Sequence, residues 1–556
     1  MASFWQNKPE MNGCSIRKNA VENIISSGSF CTATKTKIEQ ADALNSQNEL
    51  KKAYGIYKDI LGENAGHADA LFGIGIILEK QQKFDLAIQF LSKAFESNPD
   101  ETRALLTRGR IFRLQGMSEN AISDFTKVIA KHPDSFEALI ARGITYGQTG
   151  QFNAAIDDFS LAIRSDPNRA EAFYNRGVVQ EKRHEFEAAI EDYSVAIRLN
   201  PGDFKAHNNR GVARRETKRF DAAVNDFDKC IEINPDFAEA HYNKSLTLLS
   251  LGNLKEGLRL YEYRWKTKHF QSQVRHFSQP LWLGHENLAG KTILVHSEQG
   301  LGDSIQYCRY LSFFNKLGCK VLLEIEDPLH SLMHTFLPKN QIYSKGGQLD
   351  EFDYHCPLMS LPLALDKIVT SIPWQTPYIK ISEETKFEWF KRLGTKTKPR
   401  IGICWRGNKE HPKDWRRSIN IRDVIHKLPR TADLVCLQID VSEAEKHMFV
   451  NTNLICLNEQ MGDFASTAGL CKHLDAVVTV DTSIAHLAGA IGVSTHLVLS
   501  DPCDFRWFTN GDSTPWYGSH CLHRANQKIK MPELFLRTVE AVCNDLSTNN
   551  TYPLRK

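Results

Sequence analysis

Proline recurs at Pro99, Pro133, Pro167, Pro201 and Pro235, each 34 residues after the last. No other feature limits the fold as strongly, because a fixed period of roughly 20–50 residues means stacked copies of one small unit. Small residues keep the period. Gly75, Gly109, Gly143, Gly177 and Gly211 hold one phase, and Ala87, Ala121, Ala155, Ala189 and Ala223 hold another. Aromatics follow at Phe125, Phe159, Tyr193 and Phe227. A unit this small cannot bury its own apolar face, so neighbours must stack.

This period and pattern resemble the tetratricopeptide repeat. The resemblance implies helix pairs stacked into a superhelix with a concave groove for a polypeptide. Within each pair, Gly and Ala allow close packing, and Pro ends the second helix. Seven units are expected over 34–271. The first, 34–67, keeps only Ala41, Ala53 and Tyr57 in register, and the last, 238–271, has Ser245 for Gly and Gly257 for Ala. Atypical end units are what capping requires. Asn175, Asn209 and Asn243 share one phase in consecutive units. They resemble the asparagine ladder of the repeat-bearing O-linked N-acetylglucosamine transferases, which implies that they hold an acceptor peptide. An amide suits that task because it donates and accepts together. The alternative is polar groove residues with no fixed partner. Arg108, Arg142, Arg176 and Arg210 read as solvated or snorkelling side chains. Asp226-Phe227-Asp228 has the D-x-D form of some metal-binding glycosyltransferases, but it falls in a repeat helix and is set aside.

A chain of 556 residues has ample core for two to four domains. Its net charge of +3 gives no argument for nucleic acid. The 13 cysteines form no C-x-x-C pair and no Cys/His group with zinc spacing, which suggests free thiols in a reducing compartment. The first residues carry no apolar signal core, and no run approaches the ~18 apolar residues that a membrane span needs. A cytoplasmic protein without a transmembrane segment is expected. Residues 1–33 read as a loosely ordered tail.

The period stops after Tyr261-Glu262-Tyr263-Arg264-Trp265, and 272–290 reads as a linker. Strands are expected at 292–296, 320–325, 352–355, 400–404, 433–438, 453–457, 475–480 and 495–499. Helices are expected at 304–316, 383–393, 441–449, 463–473, 483–491 and 531–544. Such alternation means parallel sheets with helices on both faces. Two halves are expected, 291–385 and 398–530, followed by a helix and tail, 531–556, that could cross back.

Three stretches of this region carry chemistry. In KTILVHSEQGLGDS (291–304) a strand runs into the turn Gly300-Leu301-Gly302 and then a helix. Ligands of open α/β sheets bind beyond such strand ends. Asp303 is either a catalytic base or the cap of that helix. In DAVVTVDTSIAHLAGAIG (475–492) the strand ends at Asp481-Thr482-Ser483, where a helix bearing His486 begins. Hydroxyls and open N–H groups there suit a diphosphate, although Asp, Thr and Ser are also the preferred caps. In IGICWRGNKEHPKDWRRS (401–418) a strand precedes Gly407-Asn408 and a loop with Lys413, Arg416 and Arg417, whose charges could clamp phosphate.

Together with DPCDFRWF (501–508), these stretches resemble the bacterial heptosyltransferase-like glycosyltransferases fused to tetratricopeptide arrays. The resemblance implies a GT-B fold of two Rossmann-like halves, with the nucleotide sugar held mainly by the second. It implies Asp303 as general base. It places the donor on Gly300, Gly302, Asn408, Gln438, Asp481, Thr482, Ser483 and His486, with Lys413, Arg416 or Arg417 on the diphosphate. No metal or other cofactor is implied. The activity it implies is inverting transfer of a sugar from a nucleotide-diphosphate donor to a hydroxyl, on a protein or peptide presented by the repeats. The rival expectations are a scaffold with an inactive transferase-like domain, and a transferase for a lipid-linked or polysaccharide acceptor.

Overall fold

The computed structural model describes residues 22–270, 274–298, 300–366, 371–373 and 376–549. The expected tail, 1–33, lies mostly outside them. Its last part is not tail, because a helix already runs over Glu22–Ser46. Fourteen helices follow one another from Glu22 to Tyr261, in seven consecutive pairs. Each phased proline stands two residues beyond a helix end: Ser97, Lys131, Ser165, Leu199 and Ile233. The chain divides into two compact units, 1–206 and 207–556.

In the first unit one register repeats. A Cβ at Gly109 would lie 2.6 Å from Phe125, one at Gly143 2.7 Å from Phe159, and one at Gly177 2.8 Å from Tyr193. No side chain fits between these helices, which explains the glycine phase. The phased arginines are not solvated. Arg108 grips Asp124 through two nitrogens, both at 2.7 Å, and Arg142 and Arg176 grip Asp158 and Asp192 in the same way. These aspartates are buried. A fork on a carboxylate is the strong form of this interaction, and it clips each helix pair shut.

The second unit begins at His207, inside helix Phe204–Glu216, so it takes the last repeats together with the α/β region. Arg210 grips Asp226 there, so the D-x-D aspartate serves a repeat clip. The first sheet contains β1 (Thr292–His296), β2 (Lys320–Ile325), β3 (Ile342–Ser344) and β4 (Tyr354–Pro357), all parallel, in the order β3-β2-β1-β4. The second contains β5 (Arg400–Cys404), β6 (Asp433–Cys436), β7 (Leu454–Cys456), β8 (Ala476–Val480), β9 (Thr495–Leu499) and β10 (His520–Arg524). It too is parallel throughout, in the order β10-β9-β8-β5-β6-β7. Counted from β5, this is the doubly wound order 3-2-1-4-5-6 read from its other edge.

Several expected boundaries move. The expected linker, 272–290, touches the first sheet at one place: the Trp282 backbone N–H donates to the His355 carbonyl at 2.8 Å, and Leu281 bridges His355. Helix Glu383–Leu393 belongs with the second half, where its buried Trp389 donates to Ser466 at 3.2 Å. The final helix, Met531–Asn549, does not cross back. Its Phe535, Val539 and Val542 pack with Val478 and Val498 of the second sheet. The helix expected at 304–316 is an α-helix only over Leu301–Tyr307 and a 3-10 helix over Cys308–Leu317. One continuous core joins the two sheets through Tyr307, Trp507 and Tyr517.

Candidate functional site

A cavity of about 1120 Å³ lies at the carboxyl ends of β1, β5 and β8. In the second sheet, β5 and β8 flank the point where the winding reverses, the place where such sheets bind ligands. The walls also include Arg215, Glu216 and Asn243 from the last repeats.

Asp303 is not the cap of its helix. The N-cap is Gly300, and no side chain caps it. Asp303 sits in the first turn, and its Oδ1 meets Arg506 Nη2 at 2.6 Å. Arg506 also donates from Nη1 to Asp504 at 2.7 Å, so one guanidinium spans two carboxylates. Burial pushes the Asp303 carboxyl above the usual carboxylate range; Arg506 opposes that, and Asp504 and Glu326 add to it. Burial also works to raise Asp504, but Arg506 outweighs it and holds that carboxyl low. Asp481, at the end of β8, is pushed up to about 6 by burial and then by the Asp504 charge.

The two glycines differ. A Cβ at Gly300 would meet open space, whereas one at Gly302 would lie 2.8 Å from His486 Cδ2. Gly302 is therefore needed for the crossing of helices Leu301–Tyr307 and Ser483–Ala490, and it also lines the cavity. His486 is buried, its Nδ1 meets the Tyr517 hydroxyl at 2.9 Å, and its ring stacks on Trp507. Burial, with Arg506 nearby, holds it uncharged well below its ordinary range. Thr482 is the cap of Ser483–Ala490, accepting from the Ile484 N–H at 3.3 Å. Its hydroxyl turns towards Cys404 and Thr479, and Thr482 and Ser483 both line the cavity.

The basic loop is largely neutralised. Lys413 meets Glu216 Oε1 at 3.1 Å, and Arg416 binds the other oxygen. Burial would raise the Glu216 carboxyl, but Lys413, Arg215 and Arg416 outweigh it and bring it to about 2. Arg417 donates to the Asp481 carbonyl at 3.0 Å and to Asp414 at 3.1 Å, with its guanidinium over Gly407. Gln438 is engaged at both ends of its amide: it accepts from the Arg406 N–H at 3.2 Å and donates to Asp440. Asn408 accepts from the Glu410 N–H at 3.0 Å within its own turn. Both line the cavity but serve first to shape it.

Asn243 donates to Asn208 at 3.1 Å, and Asn208 donates to Asn209 at 3.1 Å. These two ladder positions are joined by an amide that the phase argument passed over. Asn175 is half-buried on helix Ala170–Lys182 of the first unit. Sequence reasoning missed Arg506, Asp504 and Glu216. The first two lie in DPCDFRWF, a stretch quoted whole without a role for any residue. Nothing in the sequence marks Glu216. A further buried pair, Arg264 with Glu298 at 2.9 Å through two nitrogens, fixes the loop after β1 from the end of the repeats.

Tetratricopeptide repeat profiles match residues 44–111, 103–135, 140–204, 204–237 and 227–259. Protein FlbA of Caulobacter vibrioides is 22% identical over 309 residues, 50% of this chain and 50% of FlbA. The chain thus spans about half the length of that curated relative. Among solved structures, YrrB, described as a repeat protein with an unusual peptide-binding site, is 21% identical over 34% of this chain and 98% of its own, with a TM-score of 0.31. MamA from Desulfovibrio magneticus is 20% identical over 31% of this chain and 97% of its own, with a TM-score of 0.29. The repeat array is therefore a tetratricopeptide array, suited to protein–protein interaction. No helix among the described residues is long and apolar enough to cross a membrane.

Proposed function

We propose that this chain is a glycosyltransferase of GT-B type, moving a sugar from a nucleotide-diphosphate donor to a hydroxyl on a polypeptide held by the repeats. The observation that carries the reading is a convergence at one cavity. Asp303 arrives from the first sheet, a half-buried carboxylate raised above its ordinary range, and Ser483 arrives at a helix start from the reversal point of the second. The acceptor oxygen attacks the anomeric carbon while its proton passes to Asp303. The carbon–oxygen bond to the diphosphate breaks, and the electron pair leaves with the diphosphate. The N–H groups at Ser483 and the charge of Arg417 would stabilise that leaving group in place of a metal. With one base and no covalent nucleophile, the configuration inverts.

A panel of nucleotide sugars tests this through melting shifts and release of nucleoside diphosphate, with and without EDTA. One donor should raise the melting temperature and be turned over equally with chelator present. Loss of turnover with EDTA, restored by Mg²⁺ or Mn²⁺, would end the metal-free mechanism. If no donor binds, the scaffold reading stands. That reading has one observation in its favour: Lys413 and Arg416 already spend their charge on Glu216. Peptide capture lost on Asn175→Ala would favour the polypeptide acceptor over a lipid or glycan.

A further inference from the structure

The last two strands of the six-stranded sheet gather three residues that the cavity does not use. His496 on β9 and Cys521 on β10 are register partners in a parallel ladder, so their side chains leave the same face of the sheet. His523, two residues on, leaves with them. His496 Nδ1 and His523 Nε2 are hydrogen-bonded at 3.1 Å, with the rings stacked. One ligand atom from each of the three residues lies within 4.8 Å of the others. All three side chains are half-buried.

We propose that His496, Cys521 and His523 bind a borderline-soft divalent transition-metal ion of the Zn²⁺ class. Two imidazole nitrogens and a thiolate select Zn²⁺ or Co²⁺ over Mg²⁺ and Ca²⁺, which take oxygen ligands. Tetrahedral Zn²⁺ places its ligand atoms about 3.3–3.7 Å apart. The two nitrogens already meet that spacing to within a few tenths of an ångström, and the sulfur, within 4.8 Å of both, has to move inward by at most roughly 1 Å. A nitrogen-to-nitrogen hydrogen bond requires one ring to accept and the other to donate. On binding, the donating ring carries its proton on its other nitrogen and the thiol releases one proton, so each ion displaces one proton.

The fold gives the ion something to hold. Val498, two residues along β9 on the same face as His496, packs with Phe535 and Val539 of helix Met531–Asn549. Asp545 of that helix is close enough to act on His496 electrostatically. Asp545 or a water completes the fourth position, and the ion ties the edge strand to the terminal helix. Sequence spacing hides this group, because a parallel ladder and not a short loop brings its members together.

The test is titration of the full chain with Co²⁺, followed by Zn²⁺ competition against a chromophoric chelator. One equivalent of Co²⁺ should give tetrahedral d–d bands and a thiolate-to-cobalt charge-transfer band. Cys521→Ser should abolish the thiolate band and weaken Zn²⁺ binding at least roughly 100-fold, more than losing an outer-shell partner would, whereas Cys319→Ser should keep both. No thiolate band in the unaltered chain, or a band that survives Cys521→Ser, overturns the site. Should Cys521→Ser misfold, His523→Gln decides: unchanged Zn²⁺ affinity overturns the proposal, and a loss of similar size supports it.

Discussion

The repeat array and the cavity both rest on buried arginine–carboxylate pairs, but the pairs are of different kinds. In the repeats, Arg108–Asp124, Arg142–Asp158 and Arg176–Asp192 join residues of one helix pair and recur with the period. At the cavity, Arg506–Asp303, Arg264–Glu298 and Arg416–Glu216 join distant parts of the chain, and each occurs once. A local pair repeated along an array can lose one copy and leave its neighbours standing. A single long-range pair that fixes a cavity wall has no substitute.

The largest expected effect lies at Asp303. Asp303→Asn should lower transfer turnover by roughly 10²–10⁴-fold, the usual worth of a general base. Because Asn also weakens the contact with Arg506, Arg506→Gln separates base from brace. Arg506 pulls the Asp303 carboxyl down, so its removal should move the acid limb of the pH–rate profile to higher pH while turnover persists above it. Equal losses in both variants, with no movement of that limb, would make Asp303 a brace only.

Next in size is Glu298→Gln. It leaves the fully buried Arg264 with Glu262, at 2.7 Å, as its remaining carboxylate, at a cost of roughly 3 kcal/mol in denaturant unfolding, the low end for a broken buried pair. A cost below about 1 kcal/mol would show that the repeat end and the β1 loop are held by packing alone. Glu216→Gln should cost about 3 kcal/mol at neutral pH, the size of the fall from 4.5 to about 2. Because the folded carboxyl is lowered, this stability is full above about pH 4.5, the ordinary carboxylate value, and is lost as pH falls through about 2. The variant and the parent should therefore converge in acid. A gap that stays constant with pH would contradict the ion pair.

The smallest effects belong to the array. Asp124→Asn, Asp158→Asn and Asp192→Asn each keep an acceptor and lose a charge, so each should cost about 1 kcal/mol. Melting curves should rank the three as equals. A spread as wide as that of the cavity variants would break the contrast between repeated and unique pairs.

Much of the α/β region was also legible. Thr292–His296, Lys320–Ile325, Arg400–Cys404 and Thr495–Leu499 are strands at the expected bounds, because buried parallel strands are short unbroken apolar runs. β3 escaped because Ile342-Tyr343-Ser344 sits between polar Asn340-Gln341 and Lys345 with no apolar run, and β10 because His520, His523 and Arg524 conceal its period.

The sequence by itself determined the repeats. Their period, their glycine–aromatic contacts and their proline stops all act within one helix pair, where spacing along the chain is spacing in space. It also determined that Asp303, Ser483 and the basic loop stand at strand ends. Only the tertiary structure decided what those groups do. Asp303 faces Arg506, Thr482 turns inward as a cap, and Glu216 reaches from a repeat helix to take the charge of Lys413 and Arg416. The reason is physical. A charge's behaviour is set by burial and by whatever lies within a few ångströms of it, and those neighbours come from chain segments whose meeting only the packed sheets arrange.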